Sequence, residues 1–153
     1  MPNKPAKYGI KLFSLADATI YYTKKLEIYV GKQLEGSYNL DTSTVALVKR
    51  MIKPIAGSGR NATMDNWFTS ISLAEQLLTD YNLTVVGTVK KNNPDIPNDF
   101  KRICLEEFSC VFGYKQTQTL LSYCPKKDKI VLLLSTMHNY GAVDDSTQKS
   151  SRK

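Results

Sequence analysis

Apolar positions along the chain fall into runs with two different spacings, and each spacing predicts an element. Residues 8–16, YGIKLFSLA, are rich in β-branched and aromatic side chains and predict a strand. A short turn, Asp17-Ala18-Thr19, leads to residues 20–30, IYYTKKLEIYV, which predict a second strand and so a hairpin. Residues 41–53, DTSTVALVKRMIK, set Val45, Val48 and Ile52 at helical spacing beside Leu47 and Met51, with Asp41 as the expected N-cap. Pro54 and the GSG at 57–59 stop that helix. Residues 60–65 predict a short strand ending at Asp65. Ser70 caps a helix expected to run through about Leu78, with SLAE resembling a capping box. Residues 83–89, LTVVGTV, are an apolar run suited to a buried strand. The order β-β-α-β-α-β is that of a mixed α/β domain.

The pattern changes after Lys91. KNNPDIPNDFKR is polar and contains two prolines, so it predicts a linker or loop. Residues 108–114, 117–124 and 129–135 predict three short strands, with a turn at CPKKD. Residues 1–91 are therefore expected to form the core, 92–136 a small β-rich annex of insertion type, and 137–153 a disordered basic tail.

Composition narrows the class only a little. A chain of 153 residues with 42% hydrophobic and 23% charged residues can bury the core of one domain. No run of eighteen apolar residues is present, so no helical membrane span is expected. The start, MPNKPAKYGI, has no apolar signal core, which points to an intracellular protein and makes the sequons at Asn61 and Asn82 irrelevant. Cys104, Cys110 and Cys124 are odd in number and form no CxxC pair, arguing against a disulfide framework and a zinc site and for three reduced thiols. The net charge of +7 permits a polyanionic partner such as nucleic acid. There is no P-loop, GxSxG, HExxH or dinucleotide fingerprint.

The stretch NATMDNWFTS, residues 61–70, carries the candidate chemistry. An acid between a strand and a helix is either a turn or cap residue or a ligand for a hard cation such as magnesium. Two such ions about 4 Å apart clamp a phosphoryl group during in-line displacement. That arrangement takes several converging carboxylates, and Asp65 is one. Trp67 and Phe68 are expected to pack the helix onto the sheet. His138, in STMH after an apolar run, is expected to be a structural imidazole.

Three segments, NKPAKYGIKLFSLAD, GRNATMDNWFTSISLAEQLL and LTVVGTVKKNNPDIP, together resemble the piggyBac family of cut-and-paste DNA transposases, in the family's order from about residue 2 to residue 140. The resemblance implies a ribonuclease H-like core that uses a set of Asp residues with Mg2+ or Mn2+. That core cuts DNA through hairpin intermediates and joins it to TTAA targets. The resemblance further implies a nuclear protein, possibly dimeric at full length. Asp65 falls on the family's second catalytic Asp. Lys90 and Lys91, and less directly Arg60, correspond to basic positions close to DNA.

The family's first catalytic Asp lies in a DEQ-type segment upstream of the PNKP motif, where this chain begins. Its third lies in a GGVD-type motif beyond Lys153. Asp17 aligns with a turn acid, and Asp144 and Asp145 lie in the tail. The chain is thus expected to keep one catalytic carboxylate, to hold no stable metal, and to be a transposase fragment inactive by itself. The alternative is a domesticated DNA-binding module; a third reading is an enzyme completed by another chain. In the implied sheet order, 3-2-1-4-5, the central first strand is missing. The hairpin is therefore expected to be separated from the Asp65 strand by a break in the ladder.

Overall fold

Leu12–Ala16 (β1) and Thr23–Ile28 (β2) pair antiparallel, with Leu12 opposite Ile28 and Leu15 opposite Lys25. Asp17 sets the turn between them: its Oδ1 accepts from the backbone N–H of Thr19 at 2.9 Å and of Ile20 at 3.2 Å. Those bonds hold the chain in the turn beyond Thr19, so β2 begins at Thr23 rather than at residue 20. The computed structural model describes residues 9–29, 31, 40–102 and 106–141. Contacts divide the chain into two units, Met1–Ala56 and Gly57–Lys153.

In the first unit the helix Thr44–Ile52 (α1) packs on the hairpin and buries Leu47, Val48, Met51 and Ile52. Its N-cap is Ser43, whose hydroxyl accepts from the Ala46 N–H at 3.3 Å. Asp41, the expected cap, instead accepts from the Ser43 N–H at 2.8 Å, and its bonds to Ser43 hold its carboxyl below the ordinary value. An Asx-type bond one step earlier thus displaces the cap by two residues. Arg50 joins helix to hairpin through a 2.6 Å ion pair with Glu27, while Lys25 Nζ donates to the Arg50 carbonyl at 2.7 Å. The Glu27 carboxylate raises the guanidinium pKa further. Pro54 sits in the 3₁₀ turn Lys53–Ile55 that ends the helix.

The second unit is one five-stranded sheet in the order β3-β4-β7-β6-β5. Its strands are Asn61–Met64 (β3), Thr84–Val89 (β4), Cys110–Lys115 (β5), Gln118–Lys126 (β6) and Lys129–Ser135 (β7). β3 and β4 are parallel, and every other pair is antiparallel. The crossover between the parallel strands is the helix Ile71–Tyr81 (α2), which packs on β4 and buries Leu73, Ala74 and Leu77 completely. Asn82, in the left-handed region at φ 49°, ends it by donating its N–H to the Leu77 carbonyl. No earlier stop exists, so α2 runs three residues past the expected Leu78. Leu83, Val85, Ile96 and Leu134 are also buried in this unit.

The three late strands do not stand apart. β7 ladders onto β4, from Val86 opposite Ser135 to Val89 opposite Leu132, so residues expected as an annex continue the sheet of β3 and β4. The units meet between Ala56 and Gly57, not after Lys91. A four-residue helix, Asn98–Lys101 (α3), lies within the stretch expected to be a linker and packs on β6. In the first unit the hairpin forms a two-stranded sheet of its own.

Cys124 is disulfide-bonded and Cys110 is free, which corrects the expectation of three reduced thiols. Such pairing follows from which segments meet in space, and spacing along the chain does not report it. Of the expected tail, residues 142–153, with Asp144 and Asp145, lie outside the described residues.

Candidate functional site

Asp65 is the first residue beyond β3, and its backbone builds the turn that follows. Its carbonyl accepts from the N–H of Phe68 at 3.0 Å, the N–H of Thr69 at 3.1 Å and Thr69 Oγ1 at 2.9 Å. Thr69 is buried and lies directly on Gly87 of β4; a Cβ at Gly87 would meet Thr69 Oγ1 and stand 2.6 Å from the Met64 carbonyl. The missing side chain lets the turn close against the sheet. Ser70 then caps α2, accepting from the Leu73 N–H at 3.3 Å. The Asp65 carboxylate accepts from the neighbouring Asn66 N–H, and the residue is exposed. It is therefore not the helix cap.

Trp67 lies in the turn between Asp65 and Ser70. It is 36% exposed, and Phe68, partly buried, meets it edge-on with ring centroids 4.8 Å apart at 84°. The chain's single tryptophan stands in the turn rather than in the core.

Lys90 and Lys91 are exposed and follow β4 directly. Because β3 and β4 are parallel, from Asn61 opposite Thr84 to Met64 opposite Gly87, both chains leave the sheet at the same end. Asp65, Trp67, Lys90 and Lys91 thus share the carboxyl end of the parallel pair, the edge at which open α/β sheets hold ligands. Arg60 does not join them. Its carbonyl accepts from the Thr84 N–H at the opposite end of β3, about 16 Å away along five residues of extended chain.

His138 is held by local bonds. Its Nδ1 lies 2.9 Å from Ser135 Oγ, and its carbonyl accepts from Thr119 Oγ1 at 2.6 Å. Asp17 serves the hairpin turn. Among the described residues no three His, Cys, Asp or Glu side chains gather as a metal site.

The unit's groove of about 520 Å3 is lined by Ile71, Glu75, Phe100, Tyr114, Leu120 and Leu134 among others, and not by Asp65, Lys90 or Lys91. One feature of the carboxyl end escaped the sequence reading. The run Lys126-Lys127-Asp128-Lys129 is visible in the sequence, but only the antiparallel register of β7 on β4 brings it to the same end as Lys90 and Lys91.

Comparison with known proteins agrees with this arrangement. Residues 1–153 match the transposase IS4 family throughout. The chain belongs to that family. Among solved structures, a piggyBac transposase in a synaptic complex with hairpin DNA, determined by cryo-EM, superposes with a TM-score of 0.84 at 38% identity. The match covers 96% of this chain and 31% of that one, so this transposase-family chain spans about a third of the length of its solved relative. The resemblance to piggyBac transposases carried by the three sequence segments therefore extends to the fold. No helix among the described residues is long and apolar enough to cross a membrane.

Proposed function

We propose that this chain is part of the catalytic region of a piggyBac-type transposase and binds DNA at the carboxyl end of β3 and β4. The underlying architecture in this reading is a ribonuclease H-like core. Asp65 supplies one carboxylate toward a Mg2+ or Mn2+ site, and Lys90 and Lys91 contact backbone phosphates. The observation that carries this reading is the convergence of Asp65 with Lys90 and Lys91 at one sheet end, through the parallel register that sets Met64 against Gly87.

The described residues do not fit a complete two-metal site. Such a site takes several carboxylates, and no three metal-ligating side chains gather among them. Among the described residues Asp65 belongs to no such group, and in this reading the chain alone binds DNA without cutting it. The second reading is a transposon-derived DNA-binding module without enzymatic activity. The expected partner in either case is DNA: transposon ends and TTAA targets for a dimeric transposase acting in the nucleus, chromosomal sites for a binding module.

Trp67 allows a direct test. As the only tryptophan, exposed beside Asp65, its fluorescence reports binding at this end of the sheet. Titration with a terminal-repeat duplex should change Trp67 emission and retard the duplex in a gel. A scrambled duplex should bind comparably if the contacts are to phosphates alone. Retardation with unchanged Trp67 emission would move the interface elsewhere. No binding of either duplex would overturn the reading.

A further inference from the structure

The connection between β6 and β7 presents Lys126, Lys127 and Lys129, all exposed. In the antiparallel β4–β7 ladder Leu132 is opposite Val89, the last residue of β4. The residues of β7 before Leu132 therefore run past the end of β4, at the level where Lys90 and Lys91 leave the sheet. Neighbouring strands lie about 4.8 Å apart, so the turn begins one to two strand widths from those lysines.

The turn also holds an unfavourable pair. Lys126 and Lys129 are direct cross-strand partners. Like charges in that relationship repel, and among the described residues no ion pair with a carboxylate offsets either of them. Two acids lie in the same region and keep their charge, without forming an ion pair with Lys126 or Lys129. Glu107 accepts from the Lys127 backbone N–H at 3.2 Å, and Asp128 occupies the left-handed turn position at φ 63°. An external anion relieves the repulsion, and duplex DNA presents a regular line of them.

We propose that Lys126 and Lys129, with Lys127, form a phosphate-backbone contact for duplex DNA that continues the surface of Lys90 and Lys91. This rests on the DNA-binding reading above. Its test compares Lys129→Glu with Lys115→Glu in the full chain. Lys115 closes β5 at the opposite end of the sheet, opposite Gln118, and the two substitutions change the charge equally.

Affinity for one duplex is measured across a salt series, and thermal melting is recorded for each variant. Lys129→Glu converts a like-charge pair into an ion pair with Lys126, so its Tm should rise. Its slope of log affinity against log salt should nevertheless become shallower by about one unit, the equivalent of one phosphate contact. Lys115→Glu should keep the wild-type slope. A raised Tm with the slope of Lys115→Glu would show a purely structural turn and overturn the inference while leaving DNA binding in place. Absence of salt-dependent binding by the wild-type chain would overturn both. Should Lys129→Glu not fold, Lys129→Gln must show the same loss of slope for the proposal to stand.

Discussion

Gly87 lies against Thr69 with no room for a side chain between them: a Cβ at Gly87 would press on Thr69 Oγ1 and stand 2.6 Å from the Met64 carbonyl. Through that contact β4 supports the turn whose first residue is Asp65. Gly87→Ala should therefore destabilise the sheet by about 1–3 kcal/mol, the usual range for overpacking. Thr69→Ala in the same chain should recover only part of the loss, because the Met64 carbonyl is backbone and cannot be trimmed. Thermal melts of the two single variants and the double variant measure this, and full recovery would show that Thr69 is the whole obstacle.

Ser70 and Asp65 divide the roles at the strand-to-helix junction. Ser70 caps α2 through Leu73, whereas Asp65 is exposed and bonds only locally through its carboxylate. Ser70→Ala should cost about 1 kcal/mol, and Asp65→Asn should stay within about 0.5 kcal/mol, as surface changes do. Denaturant titration separates the two. A large loss from Asp65→Asn would make the acid structural and remove the main reason to give it a chemical role.

Local pattern made several elements legible. Ser70 followed by Leu73, Ala74 and Leu77 carries both the cap and the buried face of α2, and LTVVGTV carries the buried face of β4 through Val85, Gly87 and Val89. What escaped reading is non-local. That β7 would ladder onto β4 depends on register between segments more than forty residues apart, and no local spacing encodes it. The same register turns an ordinary charged turn, Lys126 to Lys129, into a neighbour of Lys90. The cap moved from Asp41 to Ser43 because both residues are good caps and the Asx-type bond decided between them. For the site, motif resemblance pointed to Asp65 and the two lysines. Only the parallel pairing of β3 with β4 separates them from Arg60.

The chain alone should show no magnesium- or manganese-dependent nicking or strand transfer on a transposon-end duplex. The basis is that among the described residues Asp65 belongs to no group of three or more metal-ligating side chains, and in-line displacement between two ions takes several carboxylates. Incubation of a labelled hairpin duplex with either ion, resolved on a denaturing gel, is the check. Nicking that disappears in Asp65→Ala would contradict this and favour an enzyme completed by another chain.

The claim at the centre of this account is that the carboxyl end of β3 and β4 holds nucleic-acid phosphates through Lys90 and Lys91. The most direct measurement is the salt dependence of duplex affinity for the wild-type chain and for Lys90→Glu with Lys91→Glu. Each phosphate contact contributes about −0.9 to the slope of log affinity against log salt. The double variant should therefore bind more weakly, with a slope shallower by about 1.8 units, and equally so on terminal-repeat and scrambled duplexes. Wild-type binding indifferent to salt, or a double variant that keeps the wild-type slope, would contradict the account.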